Sequence, residues 1–269
     1  DLRKAVAQCA SGMKALGVAA NDRVAAVLPN CPEAVIGMLA AASLGAIWSS
    51  CSPDFGINGI YDRLGQISPK ILITVNAYNY NGKEHQCLGK IREISQRISS
   101  IESVFVSAFT ETPMELQGKE QPWEALLDTS AGPLAFAQLP FDHPLYILYS
   151  SGTTGLPKSI VHGAGGTLLK HLTEHRYHAD VQFGDRLFYF TTCGWMMWNW
   201  LASGLASGAT LILYDGAPGF PDMGRMWRLI DDQRITHFGT SPKFLGAVNK
   251  AGYSPKANNQ LNSLRVILS

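Results

Sequence analysis

From Tyr149 to Lys158 the chain reads Tyr-Ser-Ser-Gly-Thr-Thr-Gly-Leu-Pro-Lys, residue types suited to gripping a polyanion. Gly152 and Gly155 let backbone N–H groups come close to a ligand. The hydroxyls of Ser150, Ser151, Thr153 and Thr154 can donate to phosphate oxygens, and Lys158 adds a fixed positive charge. Apolar Pro144–Tyr149 predicts a buried strand before the run, and Ile160–Tyr177 predicts a helix after it. The expectation is therefore a strand–loop–helix site that would suit a triphosphate. It is not the P-loop of kinases and GTPases, because counting from Gly152 the second glycine position holds Pro157. The competing reading, a polar turn without a ligand, leaves unexplained why glycine, hydroxyl and lysine collect between a strand pattern and a helix pattern.

A second informative run is Thr191-Thr-Cys-Gly-Trp-Met-Met-Trp-Asn-Trp200, which follows a predicted strand at Arg186–Phe190. Three tryptophans and two methionines in six residues read first as core. Their place after a strand's carboxyl end, beside Gly194, is also where open parallel sheets bind ligands. His171-Leu-Thr-Glu-His175 matches the inverted zinc-protease pattern, and on a helix His171, His175 and His178 would share one face. Catalytic zinc needs a third protein ligand, commonly a carboxylate, and no glutamate follows Glu174. With Lys170 and Arg176 beside the histidines, a solvated helix face is the expected reading, and a zinc hydrolase is the rival from another class. Gly163-Ala-Gly-Gly-Thr-Leu168 lacks the last small residue of a dinucleotide fingerprint, so hydride transfer has no support.

These stretches need elements to hold them. Helices are predicted at Leu2–Leu16, Pro32–Leu44, Ile57–Ile67 and Glu84–Ile98, alternating with strands at Arg23–Leu28, Ala46–Ser50, Lys70–Val75 and Ser103–Ser107. Thr110–Pro140 carries four prolines and reads as a surface excursion pinned by Trp123–Leu127. After the glycine-rich run, strands are expected at Arg186–Phe190, Thr210–Tyr214, Ile235–Phe238 and Leu264–Leu268. Helices fall near Met196–Ser207, Met223–Asp232 and Pro242–Ala251. The fold class is α/β, mostly parallel sheets with helices on both faces. Ala34–Pro53 and Leu187–Tyr214 are long uncharged stretches, but serines, glycines, threonines and Asn199 interrupt them, so each reads as helix plus strand, not a membrane span.

A net charge of +1 gives no electrostatic case for nucleic acid or an acidic membrane surface. Five scattered cysteines with no C-x-x-C pair read as reduced thiols of a cytosolic protein. The chain starts at Asp1 and is expected to be a piece of a longer protein.

The Tyr149–Lys158 run resembles the phosphate-binding signature of the adenylate-forming (ANL) superfamily, which includes acyl-CoA synthetases. Trp195-Met196-Met197 is similar to the superfamily's acyl-pocket segment, in which the two residues after Gly-Trp line the acid site; Met is bulky and adaptable, so a short acid is implied. Asn79-Tyr-Asn-Gly-Lys-Glu-His85 looks like the place where short-chain acyl-CoA synthetases put a basic residue near the CoA phosphate, which makes Lys83 the CoA contact. The resemblance covers essentially the whole chain, and Ser159 departs from it where glycine is usual. It implies that residues 1–269 form part of the large N-terminal adenylate-forming domain, with the mobile C-terminal domain outside them. The implied reaction joins acetoacetate, or another short acid such as acetate or propionate, to CoA through an acyl-adenylate, with ATP, Mg²⁺ and CoA as co-substrates. Ser150, Ser151, Gly152, Thr153, Thr154, Gly155 and Lys158 would hold the phosphates, Thr154 and Lys158 acting in catalysis. Residues 1–269 by themselves are expected not to complete it. A non-catalytic nucleotide-binding remnant is the remaining alternative.

Overall fold

Short runs of β-branched and small apolar residues, each ended by proline, glycine or a polar turn, form the central strands. The computed structural model describes residues 1–150 and 155–269; Ser151, Gly152, Thr153 and Thr154 lie outside the described residues. The chain divides into two compact units, residues 1–78 with 85–167, and residues 79–84 with 168–269.

In the first unit, helix α1 (Leu2–Ala15) leads to β1 (Arg23–Val27), α2 (Pro32–Ser43) to β2 (Ile47–Cys51), and α3 (Ile57–Leu64) to β3 (Ile71–Val75). A two-stranded piece, β4 (Ala77–Tyr80) and β5 (Lys83–Gln86), precedes α4 (Leu88–Arg97). Strands β6 (Ser103–Ser107), β7 (Glu120–Pro122), β8 (Pro144–Ser150) and β9 (Lys158–Gly163) follow. The seven-stranded sheet has the order β7-β6-β3-β1-β2-β8-β9. Every pair is parallel except β8–β9, which is antiparallel.

Both sheet faces are covered, as parallel strands require. Ile60, Leu64, Ile91 and Ile94 of α3 and α4 bury against Ala25, Val27, Leu72 and Val104 on one face. On the other face α2 comes so close that a Cβ added at Gly37 would lie 3.0 Å from the Trp48 ring. The excursion at 110–140 is pinned where expected, by a 3₁₀ turn at Trp123–Leu126 with both end residues buried.

The second unit contains α5 from Leu168 onward (the helix is Ala164–Thr173), a π-helical turn at Glu174–His178, β10 (Arg186–Tyr189) and α6 (Met196–Ser203). After these come β11 (Thr210–Ile212), α7 (Arg225–Asp232), β12 (His237–Gly239), α8 (Pro242–Lys250), α9 (Pro255–Asn258) and β13 (Val266–Leu268). Its sheet is parallel throughout, in the order β11-β10-β12-β13. Phe188 and Phe238 stack at 5.3 Å in its core, with Trp227 against Phe238.

Two expectations are corrected. Lys158–Gly163 is a strand, not the start of a helix: Ile160 and Val161 are β-branched and pair with Leu148 and Ile147, and the helix begins only at Ala164. Residues 83–86 are also a strand. The signal was Asn81-Gly82, whose φ values of 51° and 75° make the left-handed two-residue turn that joins β4 to β5, so α4 starts at Leu88 and not at Glu84. The two uncharged stretches resolve into helix and strand as read. No described helix is long and apolar enough to cross a membrane.

Candidate active site

Ser150 at the end of β8 and Lys158 at the start of β9 are register partners of an antiparallel pair, so the described ends of the glycine-rich run lie side by side. Of the proposed phosphate contacts, the structure places Ser150, Gly155 and Lys158; Ser151, Gly152, Thr153 and Thr154 fall outside the described residues. Lys158 opens strand β9 and the helix begins only at Ala164, which corrects the strand–loop–helix expectation.

One residue that the sequence did not single out shapes the loop's far side. Exposed Gln66, just after α3, donates through Nε2 to Pro157 O at 2.8 Å, and its Oε1 accepts from Ser159 Oγ at 3.1 Å. The serine that replaces the usual glycine is thus one half of a clamp. At Gly155 an added Cβ would meet no described atom within 4 Å. Beneath the loop, Ser49 Oγ lies 3.1 Å from the Tyr149 hydroxyl and 2.9 Å from Ile147 O. Burial raises the Tyr149 pKa well above the usual phenol range, so this group is neutral and structural.

The second stretch begins at β10. Strand β11, next in sequence, lies on one side of β10 and β12 on the other, so the carboxyl end of β10 is a topological switch point, the usual ligand crevice of open parallel sheets. Thr191–Gly194 leave β10 there, and Trp195 caps α6. Trp195 and Met196 are 65% and 45% exposed, the open positions a ligand needs. Met197 instead packs partly onto the cluster of Trp200, Leu201 and Leu187, so it serves core and site together. Trp198 and Trp200 are core, as the bland reading had it. Cys193 is wholly buried and its thiol pKa is pushed well up by desolvation, which makes it no nucleophile.

Asn199, the lone polar side chain between Trp195 and Ala202, is 2% exposed. Its Nδ2 donates to Trp195 O at 3.4 Å, and its Oδ1 has no partner among the described residues. The sequence signal was present, one amide in an aromatic run, and was not weighed.

Lys83 is exposed on the turn side of the β4–β5 hairpin. Gly82 holds that turn close to Phe220: an added Cβ would come within 2.5 Å of the ring.

The histidines are not a solvated face. His171 and His175 are 6% and 0% exposed. Ser203 Oγ lies 2.9 Å from His171 Nδ1 and 3.0 Å from His175 Nε2, and Nε2 also lies 3.0 Å from Trp200 O. The His175 ring packs on Trp200 at 4.2 Å between centroids. The π turn breaks the 3.6-residue spacing and leaves His178 exposed, apart from the other two. Among the described residues no group of three or more His, Cys, Asp or Glu could hold a metal ion.

Residues 1–269 match the family described as AMP-binding enzyme, and the chain belongs to it. Among curated relatives, acetoacetyl-coenzyme A synthetase of Rhizobium meliloti (strain 1021) is 50% identical over 271 residues, covering 100% of this chain and 42% of the relative. Acetoacetyl-CoA synthetase of Xenopus tropicalis is 45% identical over 278 residues, covering 100% and 41%. Malonamoyl-CoA synthetase vrtB of Penicillium aethiopicum is 44% identical over 292 residues, covering 100% and 40%. The solved structure of acetoacetyl-CoA synthetase from Streptomyces lividans superposes with a TM-score of 0.94 at 43% identity, covering 99% of this chain and 41% of that one. The chain spans about two fifths of the length of these relatives.

Proposed function

We propose that the full-length protein activates acetoacetate with MgATP and transfers the acyl group to CoA. A carboxylate oxygen attacks the α-phosphorus, the bond to the bridging oxygen breaks, and pyrophosphate leaves; the CoA thiol then attacks the acyl carbon, AMP departs, and the thiol proton is released. The observation that carries this reading is the whole-chain similarity to acetoacetyl-CoA synthetases, with the anion loop and the Trp195–Met197 segment both inside the matched region.

In this reading the glycine-rich loop holds the β- and γ-phosphates. Ser150 and the loop hydroxyls donate, and Lys158 opposes the charge that builds on pyrophosphate as it leaves. Thr154 and Lys158 are assigned to that catalytic role, and Ser151, Gly152, Thr153 and Gly155 to binding. Mg²⁺ is a hard cation that prefers oxygen donors, and here it arrives with the nucleotide and supplies further neutralisation of the phosphates. Trp195, Met196 and Met197 line the acid site, and Lys83 contacts CoA phosphate. Residues 1–269 belong to the N-terminal adenylate-forming portion, in a cytosolic enzyme.

The test is acid-dependent exchange of labelled pyrophosphate into ATP by the full-length protein across acetoacetate, acetate, propionate and butyrate. Acetoacetate should give the highest kcat/KM. Higher efficiency with acetate or propionate would move the assignment to that acid, and zinc-dependent hydrolysis without exchange would overturn the class.

A further inference from the structure

The unassigned amide of Asn199 sits where an acid would be read. Helix α6 starts at the switch point of the second sheet with no side-chain cap, and its first turn presents Met196 and Asn199 three residues apart on one face. The 3.4 Å contact from Nδ2 to the carbonyl oxygen of Trp195, the residue that caps the helix, is long and weak. Oδ1 has no partner among the described residues. A polar atom at 2% exposure without a partner is costly and rare, so such an atom at a ligand crevice calls for a ligand group. Thr240, the residue after β12, is likewise 2% exposed, and its Oγ1 has no partner among the described residues. The residues that precede Asn199 at the start of α6 are apolar, Trp195, Met196, Met197 and the buried Trp198.

An amide is donor and acceptor at once, and a half turn about its last torsion exchanges the two. The geometry points to Asn199 as the specificity-determining residue of the acid site, hydrogen-bonding a polar substituent on C3 of a short carboxylic acid. An oxo oxygen accepts from Nδ2; a C3 hydroxyl or carboxamide donates to Oδ1. A plain alkyl acid of the same length leaves the amide buried and unpaired, and is rejected for that reason. This rests on the proposed acid-activating function and adds the residue that chooses the acid.

The experiment compares kcat/KM for acetoacetate and butyrate in pyrophosphate exchange, using full-length protein, Asn199→Leu and Asn199→Ala, each with a thermal melt. The wild type should favour acetoacetate, and either folded variant should shrink that ratio about 10- to 100-fold, the size expected for one unpaired buried polar group. A purely structural role would lower both acids together and leave the ratio in place, which overturns the proposal. So does failure of both variants to melt cooperatively, since the amide would then be a packing element. A wild-type ratio near one overturns the proposal while exchange with acetoacetate upholds the function; no exchange with any short acid overturns both.

Discussion

Ser150 and Lys158 face each other across the last rung of the antiparallel β8–β9 pair, so the sheet holds these two residues in register. Lys158 is therefore fixed at its backbone and free at its exposed side chain, an arrangement that places a charge without burying it. Lys158→Met in the full-length protein should lower the pyrophosphate-forming rate about 10- to 100-fold, the range for losing one charge-assisted contact. Its melting temperature should stay within 1–2 °C or so of wild type, as for a surface substitution. An unchanged exchange rate would remove Lys158 from the phosphate site.

Gln66 holds the C-terminal flank of the loop through Pro157 O and Ser159 Oγ. Gln66→Ala should raise KM for MgATP roughly tenfold, with less effect on KM for the acid, because pre-ordering of the loop is lost and binding must supply it. Ser159→Gly removes one of the two bonds and should fall between. Equal KM values for the three proteins would show the clamp to be incidental.

His175 should make the second unit acid-sensitive. Burial lowers its pKa to about 4, against the hydrogen bond to Trp200 O, which raises it; His171 and His237 lower it further and Glu174 raises it. The unfolded chain takes up a proton near pH 6.5 while the folded chain resists until about 4. The group's contribution to stability is thus present above pH 6.5 and is lost as the pH falls toward 4, with a limiting slope of about 1.4 kcal/mol per pH unit. Melting temperature measured from pH 7 to pH 5 should drop, and His175→Gln should flatten that drop. Parallel curves for the two proteins would contradict the assignment.

The β4–β5 hairpin carries Lys83 on a turn that needs left-handed φ at Asn81 and Gly82. Lys83→Ala should raise KM for CoA severalfold and leave acid-dependent pyrophosphate exchange unchanged, since CoA enters only in the second step. Gly82→Ala should destabilise by about 1 kcal/mol through its φ of 75°, while the exposed tip of Phe220 can move aside. A Lys83→Ala protein with wild-type KM for CoA would return Lys83 to the solvated surface.

The sequence by itself determined the class and the alternation. Val24–Val27, Ile47–Trp48 and Ile71–Val75 are apolar runs too short for helices and bounded by turn residues, so they had to be buried parallel strands, and Pro32 had to begin a helix. The glycine- and hydroxyl-rich run and the Gly-Trp-Met-Met segment stand out in the sequence because their residues are contiguous. What only the tertiary structure decided depended on partners distant in sequence. Lys158–Val161 is a strand because β8 lies beside it, and no local pattern carries that pairing. His171 and His175 read as surface residues until α6 brings Ser203 and Trp200, 25 to 32 residues downstream, to cover and bond them. Gln66 acquires a role only because the fold sets it next to residues more than 90 positions away. Asn199 gains its meaning from burial: an amide is ordinary on a surface, and only a sealed position with no partner turns it into a question about the ligand.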